Sequence, residues 1–375
     1  AIYGLHQAPL EWNTLLVSVL QTIGFQQSLV DPCVLFMRKN DNMYLFDTHV
    51  DDMKLFGNDS SFIVEQLRKH FVVKDVHNLK HLLSINVERD RERKIMTFQK
   101  SQYIDDMLNE FNMQHCKPMP TPLNHSSNLR KNHAYPTTDV PYRSLIGKLA
   151  NLASTVRPDI YTAVSILSQF NNCYDESHWT AAKRVLRYLK GTKDYKFQFD
   201  GNSNIELEAY VDADFANDEV NRFSRTGYSI FLGGCLIAWK SCLQTSIARA
   251  TMIAEYQALS TVTDELKYCR NLLQEIGYNL DHPSTVYEDN QACIHFTKNF
   301  VCNKRSKHID IKYHNSRLAQ KAGIIKLVYC PTDDMIADLF TKPLPPMKFK
   351  QHAKALGVKS VGVSGGESDL KHVHT

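Results

Sequence analysis

Glu206-Leu-Glu-Ala-Tyr-Val-Asp-Ala-Asp214 alternates apolar Leu207, Ala209, Val211 and Ala213 with Glu206, Glu208, Tyr210, Asp212 and Asp214. That is the period-two pattern of a strand with two unlike faces, and it places Asp212 near the strand's end. Working outward, three more acids fall among apolar residues. Glu255, Leu259, Val262 and Leu266 lie at i, i+4, i+7 and i+11 of a helical pattern from Thr251 to Ile276, so Glu255 sits on the stripe predicted to face a core. Asp289 follows the β-prone run Ser284-Thr-Val-Tyr287 and precedes a helical pattern from Asn290 to Lys298, at a strand-to-helix junction. Asp338 shares a helical stripe with Met335 and Leu339, after a predicted strand Ile325 to Tyr329.

Buried carboxylates cost on the order of several kcal/mol each unless they are neutralised, paired or bound to a cation. Four that converge repel one another, and a hard divalent cation with oxygen ligands removes that repulsion. Two Mg²⁺ ions about 3.5–4 Å apart are the arrangement that supports in-line phosphodiester hydrolysis. Each acid taken alone also has a structural reading. Asp289 suits a helix N-cap, Asp212 a strand-end turn, and Glu255 and Asp338 suit ion pairs with nearby Lys or Arg. Their joint placement favours the metal reading.

Bulk properties narrow the field. The 375 residues are enough for two or three compact units, and 43% apolar with 22% charged residues is ordinary for a globular chain. Lys and Arg number 44 against 40 acidic residues, a net charge of +4 too mild to demand nucleic acid by itself. Nine Cys with no C-x-x-C pair argue against a disulfide framework or zinc ribbon and fit a reducing compartment. No secretory leader pattern is seen, and no apolar run approaches the roughly 18 residues of a membrane span. Ala1 opens the chain without Met and in mid-motif, which predicts a piece of a longer reading frame. There is no glycine-rich loop of the P-loop or dinucleotide type, so ATP and NAD chemistry are unsupported.

From the start, Trp12, Leu15, Leu16, Val19, Leu20 and Ile23 predict an amphipathic helix ending at Gly24. β-prone runs follow at Cys33–Arg38, Met43–Val50 and Met53–Phe56, with Asp51 and Asp52 between the last two. A helical pattern from Ser60 to Phe71, runs at His81–Val87 and Lys94–Gln99, and a helix opening at Ser101 come next. Cys116 to Asp139 is polar, holds four Pro and reads as a linker. Further on, Trp179, Ala182, Val185, Leu186 and Leu189 form one face of a helix, with Lys183, Arg184, Arg187 and Lys190 on the other. Such a face is commonly just solvated; it also suits phosphate contacts. A second basic cluster, including Lys304, Arg305, Lys307, His308 and His314, lies between the third and fourth acids. Gly357 to Thr375 has no apolar period and reads as a disordered tail.

The words Tyr210-Val-Asp-Ala-Asp-Phe-Ala, Ser224-Arg-Thr-Gly-Tyr-Ser-Ile-Phe-Leu-Gly-Gly, Ala238-Trp-Lys-Ser, Ala254-Glu-Tyr-Gln-Ala-Leu-Ser, Asp289-Asn-Gln-Ala, Lys307-His-Ile-Asp-Ile-Lys-Tyr-His and Ala337-Asp-Leu-Phe-Thr-Lys-Pro-Leu occur in that order. Together they resemble the ribonuclease H domain at the end of the Pol polyprotein of copia-type LTR retrotransposons. Tyr3-Gly-Leu-His-Gln-Ala-Pro, Asp31-Pro-Cys and Val50-Asp-Asp-Met resemble the second half of that family's reverse transcriptase palm. Pro141-Tyr-Arg-Ser-Leu-Ile-Gly, Thr155-Val-Arg-Pro-Asp-Ile and His178-Trp-Thr-Ala-Ala-Lys-Arg resemble its helical connection.

The resemblance implies the C-terminal part of an α+β reverse transcriptase palm with a thumb-like extension over 1–115, a linker over 116–140, a helical connection over 141–200, an α/β ribonuclease H-like domain with a mixed sheet flanked by helices over 201–356, and a disordered tail over 357–375. It implies that Asp212, Glu255, Asp289 and Asp338 are catalytic and hold two Mg²⁺ (or Mn²⁺). Asp51 and Asp52 stand where the polymerase acids of the family do, together with an Asp from an earlier strand that this chain lacks. His49, Lys54 and Asp47 depart from the family pattern there, so polymerisation is not expected of this chain. Lys183, Arg187, Lys190, Lys304, Arg305 and Lys307 are the expected nucleic-acid contacts. The implied partners are an RNA/DNA hybrid and other parts of the Pol polyprotein, with no membrane; the implied location is a cytoplasmic virus-like particle or the nucleus. The alternative is a catalytically silent retroelement remnant that binds nucleic acid. In its favour, Ala250, Thr251, Met252 and Ile253 stand where the family commonly has a Ser-Ser-Thr-Glu run.

Overall fold

A computed structural model describes residues 7–49, 52–74, 79–126, 129–131, 134–218, 221–299 and 311–360. The chain divides into two compact units, Ala1–Leu79 with Thr263–Ser284, and Lys80–Val262 with Thr285–Thr375.

In the first unit, α1 (Ala8–Ile23) starts beside Pro9 and stops at Gly24, whose φ of 114° lets its N–H reach back to Leu20 O at 3.2 Å. Strands β1 (Gln26–Gln27), β2 (Val34–Lys39), β3 (Asn42–His49) and β4 (Asp52–Phe56) form an antiparallel sheet in sequential order, and α2 (Ser61–Arg68) follows. Alternation along β2 and β3 sends Leu35, Met37, Tyr44 and Phe46 to one face, where they meet Leu16 and Leu20 of α1 and Ile63 and Leu67 of α2.

The second unit holds two five-stranded sheets. Strands β5 (His81–Leu82), β6 (Ile85–Asp90), β7 (Ile95–Gln99), β8 (Tyr195–Asp200) and the C-terminal β14 (Val358–Ser360) form the first. Helices α3 (Ser101–Glu110), α4 (Tyr142–Thr155), α5 (Tyr161–Ser168) and α6 (Glu176–Gly191) lie between β7 and β8 in sequence and pack a core of Leu145, Leu149, Leu152, Leu186 and Leu189. The start of α6 is set by Asp175, which accepts from the Ser177 and His178 N–H groups while His178 Nδ1 reaches back to the Asp175 N–H. Strands β9 (Leu207–Asp214), β10 (Arg225–Leu232) and β11 (Cys235–Leu243) form an antiparallel meander; after the long helix α7 (Thr251–Glu275), β12 (Ser284–Glu288) pairs parallel with β9. Helices α8 (Gln291–Lys298) and α9 (Asn315–Lys321) precede β13 (Ile325–Tyr329), and α10 (Pro346–Ala355) closes the unit, giving the order β11-β10-β9-β12-β13. This is the expected mixed sheet with helices.

Three features differ from the sequence reading. Residues 80–115, assigned there to the rest of the palm and its thumb-like extension, stand in the second unit, where β7 hydrogen-bonds to β8 with Phe98 opposite Phe197. Val358–Ser360, read as the start of a tail, pair with β8 and bury Val358 against the same core; 361–375 lie outside the described residues. The Cys116–Asp139 stretch has no helix or strand in its described part, yet it is no free tether. Thr121 and Leu123 are buried, and α6 donates to the Cys116 and Lys117 carbonyls and to the Thr121 hydroxyl.

Candidate metal centre

Asp212 stands on the central strand β9, directly opposite Gly227 of β10. A Cβ at Gly227 would fall 2.6 Å from Thr341 Cγ2 and 2.8 Å from the Phe340 carbonyl carbon. The glycine therefore lets the 3-10 helix Ile336–Phe340, which carries Asp338, lie against the sheet beside Asp212. The Thr341 hydroxyl donates to Asp212 Oδ2.

Glu255 arrives from the first turns of α7, on one buried stripe with Leu259, Val262 and Leu266. Gln244 Nε2 donates to Ala254 O at 2.8 Å and fixes that turn. Asp289 follows β12 immediately; the helix cap is the next residue, Asn290, whose side chain accepts from Cys293 N. Thr332 Oγ1 donates to Asp289 Oδ2 at 2.8 Å.

One carboxylate oxygen from each of Asp212, Glu255 and Asp289 lies within 4.8 Å of the other two. The fourth predicted acid is placed differently. Asp338 is fully buried beside this trio, but Lys342 Nζ lies 2.7 Å from its Oδ1 and Lys348 Nζ 2.7 Å from its Oδ2. The same Lys342 Nζ is 3.7 Å from Asp212 Oδ2.

Burial raises the Asp212 carboxyl to about 7, against the opposing pull of Lys342 and with added repulsion from Asp338 and Asp289. Burial also lifts Glu255 well above the carboxylate range, helped by Glu288, Asp212 and Asp289. Burial works on Asp338 in the same sense, but Lys342 and Lys348 outweigh it and hold that acid below its ordinary value. Glu255 Oε2 is buried with no hydrogen-bond partner among the described residues. A set of hard carboxylate oxygens, two of them reluctant to ionise alone and one oxygen left over, fits a divalent cation with oxygen ligands.

Sequence reasoning missed Glu288, Lys342 and Lys348. Glu288 is fully buried, and burial raises it well above the carboxylate range. Its signal was present, since it stands two residues from Val286 on the inward face of β12. Lys342 was also within reach, four residues beyond Asp338.

The remaining expected site residues scatter. Asp52 opens β4, exposed and opposite His49, in a sheet where Lys54 pairs with Asp47; Asp51 lies outside the described residues. On α6, Arg187 Nε donates to Lys117 O and Lys190 Nζ to Cys116 O, each at 2.7 Å. Lys183 sits over the Trp179 ring and 3.8 Å from Glu176. The face expected to meet phosphates is thus largely engaged within the chain, because the linker supplies carbonyl acceptors along it. Lys304, Arg305, Lys307 and His308 lie outside the described residues, while His314 Nδ1 shares a hydrogen bond with Tyr256 Oη at 2.9 Å.

Residues 1–125 match the family model described as reverse transcriptase (RNA-dependent DNA polymerase). The retrovirus-related Pol polyproteins from transposons RE2 and RE1 of Arabidopsis thaliana are 35% and 36% identical, over 98% and 96% of this chain. A putative transposon Ty5-1 protein of Saccharomyces cerevisiae is 30% identical over 71% of this chain and 87% of its own length. The chain belongs to the copia-type retrotransposon Pol family. It spans 25% of the length of the RE1 and RE2 Pol polyproteins. Among solved structures, ribonuclease H1 of Halobacterium salinarum matches 36% of this Pol chain and 94% of its own, with 16% identity and a TM-score of 0.25. Among the described residues of the Pol chain, no helix is long and apolar enough to cross a membrane.

Proposed function

We propose that the second unit hydrolyses the RNA strand of RNA/DNA hybrids, using divalent cations held by Asp212, Glu255, Asp289 and, at its border, Asp338. The observation that carries this reading is the trio of convergent, largely buried carboxylates, with a Glu255 oxygen that has no partner among the described residues. Divalent cations held there would supply an activated water and a stabilised leaving oxygen for in-line displacement. The chain's own work is positional. Strand β9 holds Asp212, α7 brings Glu255 along its buried stripe, and the turn after β12 presents Asp289 with its Oδ2 tied to Thr332. Thr341 orients the Asp212 carboxylate through its hydroxyl. Membership of the family supports the hybrid as substrate and other parts of Pol as partners.

A second reading, nucleic-acid binding without hydrolysis, is favoured by one observation: two lysines already neutralise Asp338. Asp289→Asn separates the two. Under hydrolysis the variant keeps its affinity for a labelled hybrid and loses Mg²⁺-dependent cleavage by a factor on the order of a hundred or more. Under binding alone, neither protein cleaves.

A further inference from the structure

The acidic centre is lopsided. On one side, Asp212, Glu255 and Asp289 face one another, with a Glu255 oxygen that no donor among the described residues reaches. On the other, each oxygen of Asp338 has its own lysine, and Lys342 spans the gap between Asp338 Oδ1 at 2.7 Å and Asp212 Oδ2 at 3.7 Å. An ammonium between two carboxylates from different elements stands where a cation bridging those carboxylates would stand. We propose that Lys342 is a resident cation of the centre, which leaves the trio open to a first divalent ion and must withdraw before a second can be held between Asp212 and Asp338. The inference rests on the metal reading above and adds an order to it.

Three further features support the assignment. The Lys342 side chain is 39% exposed while that of Asp338 is fully buried, so the lysine lies on the solvent side of the pair. Its flexible four-carbon stem allows that departure with the backbone in place. Lys348 is tied differently: besides Asp338 Oδ2 it donates to Thr332 O at 2.7 Å, and it makes no contact with Asp212 among the described residues. Lys348 therefore anchors Asp338, and among the described residues Lys342 is the lysine that bridges the two acids. A divalent ion arriving at that bridge meets a positive charge already seated within a few ångströms, and removing that charge strengthens its binding.

The test is calorimetric titration of the full chain with Mn²⁺ as probe, comparing the chain itself with Lys342→Met, Lys342→Arg and Asp289→Asn, each checked for a cooperative melting transition. The chain is expected to show a tighter and a weaker step. In Lys342→Met the weaker step moves to roughly tenfold lower Mn²⁺, with the first unchanged. Lys342→Arg, which keeps the charge, follows the unaltered chain, and Asp289→Asn loses the first step. In chelator, Lys342→Met melts lower than the chain, and Mn²⁺ restores it. Should Lys342→Met not fold, Lys342→Gln, which keeps a donor for Asp338, gives the same comparison. A weaker step unchanged by removal of the lysine overturns the proposal, as does loss of the first step in Lys342→Met. Absence of any Mn²⁺ step in the chain and in Asp289→Asn alike removes the metal reading itself, and this inference with it.

Discussion

Asp212 ties protons, cations and stability together. Its carboxyl is raised to about 7 from an ordinary value near 4. Between those values the folded chain binds the proton that the unfolded chain has released, so this group's contribution to stability falls as pH rises from about 4 to about 7. His352 acts in the opposite sense. Burial lowers it to about 4, from an ordinary value near 6.5, so its contribution is present above about 6.5 and lost as pH falls toward 4. The Asp212 contribution is therefore read as a difference. In chelator, Asp212→Asn is expected to gain on the unaltered chain between pH 5 and pH 8 by on the order of a few kcal/mol. Urea unfolding at the two pH values measures it, and an unchanged difference would contradict the assignment. Because a bound cation must displace that proton, Mn²⁺ affinity of the chain is expected to rise with pH through about 7.

At the scale of elements, the centre depends on how closely the Ile336–Phe340 helix approaches β10. Gly227 has no Cβ to fend it off, and Asp212 lies directly across the ladder. Gly227→Ala is expected to cost about 1–3 kcal/mol through overpacking and to weaken Mn²⁺ binding along with it. Thermal unfolding with and without Mn²⁺ checks both, and full retention of cation binding would show that the helix tolerates displacement. What was readable in the sequence follows the range of each interaction. Glu255 and Asp338 were legible because helical spacing is local, and Asp289 because a β-prone run changes to a helical one at that residue. The gathering of Asp212, Glu255 and Asp289 was argued only from their joint placement and family words. The lysines on Asp338 escaped notice, as did the linker carbonyls that engage Arg187 and Lys190, because such pairings depend on side-chain directions that tertiary packing sets. The junction of β7 with β8 was hidden for a related reason, since partners on either side of α3–α6 leave no mark on either strand's pattern.

Over the whole molecule, α7 contributes Thr251–Val262 to one unit and Thr263–Glu275 to the other. Within the first unit, Glu275 accepts from the Ser28 hydroxyl and, at 3.0 Å, from the Leu29 N–H, and Tyr268 Oη donates to Asp31 at 2.9 Å. A chain lacking residues 1–79 is thus expected to lose amide protection in Thr263–Glu275 while keeping it in Thr251–Val262, where Gln244 holds Ala254. Hydrogen exchange reads this directly, and equal protection in both halves would contradict the division. If the half bearing Glu255 stays ordered, the acidic centre survives that truncation too. The most direct test of the account is cleavage of an end-labelled RNA/DNA hybrid by the full chain, with Mg²⁺ and with chelator, beside a duplex of RNA alone. Scission of the RNA strand of the hybrid only, and only with Mg²⁺, is expected. A folded chain that binds the hybrid and leaves it intact at saturating Mg²⁺ would contradict it.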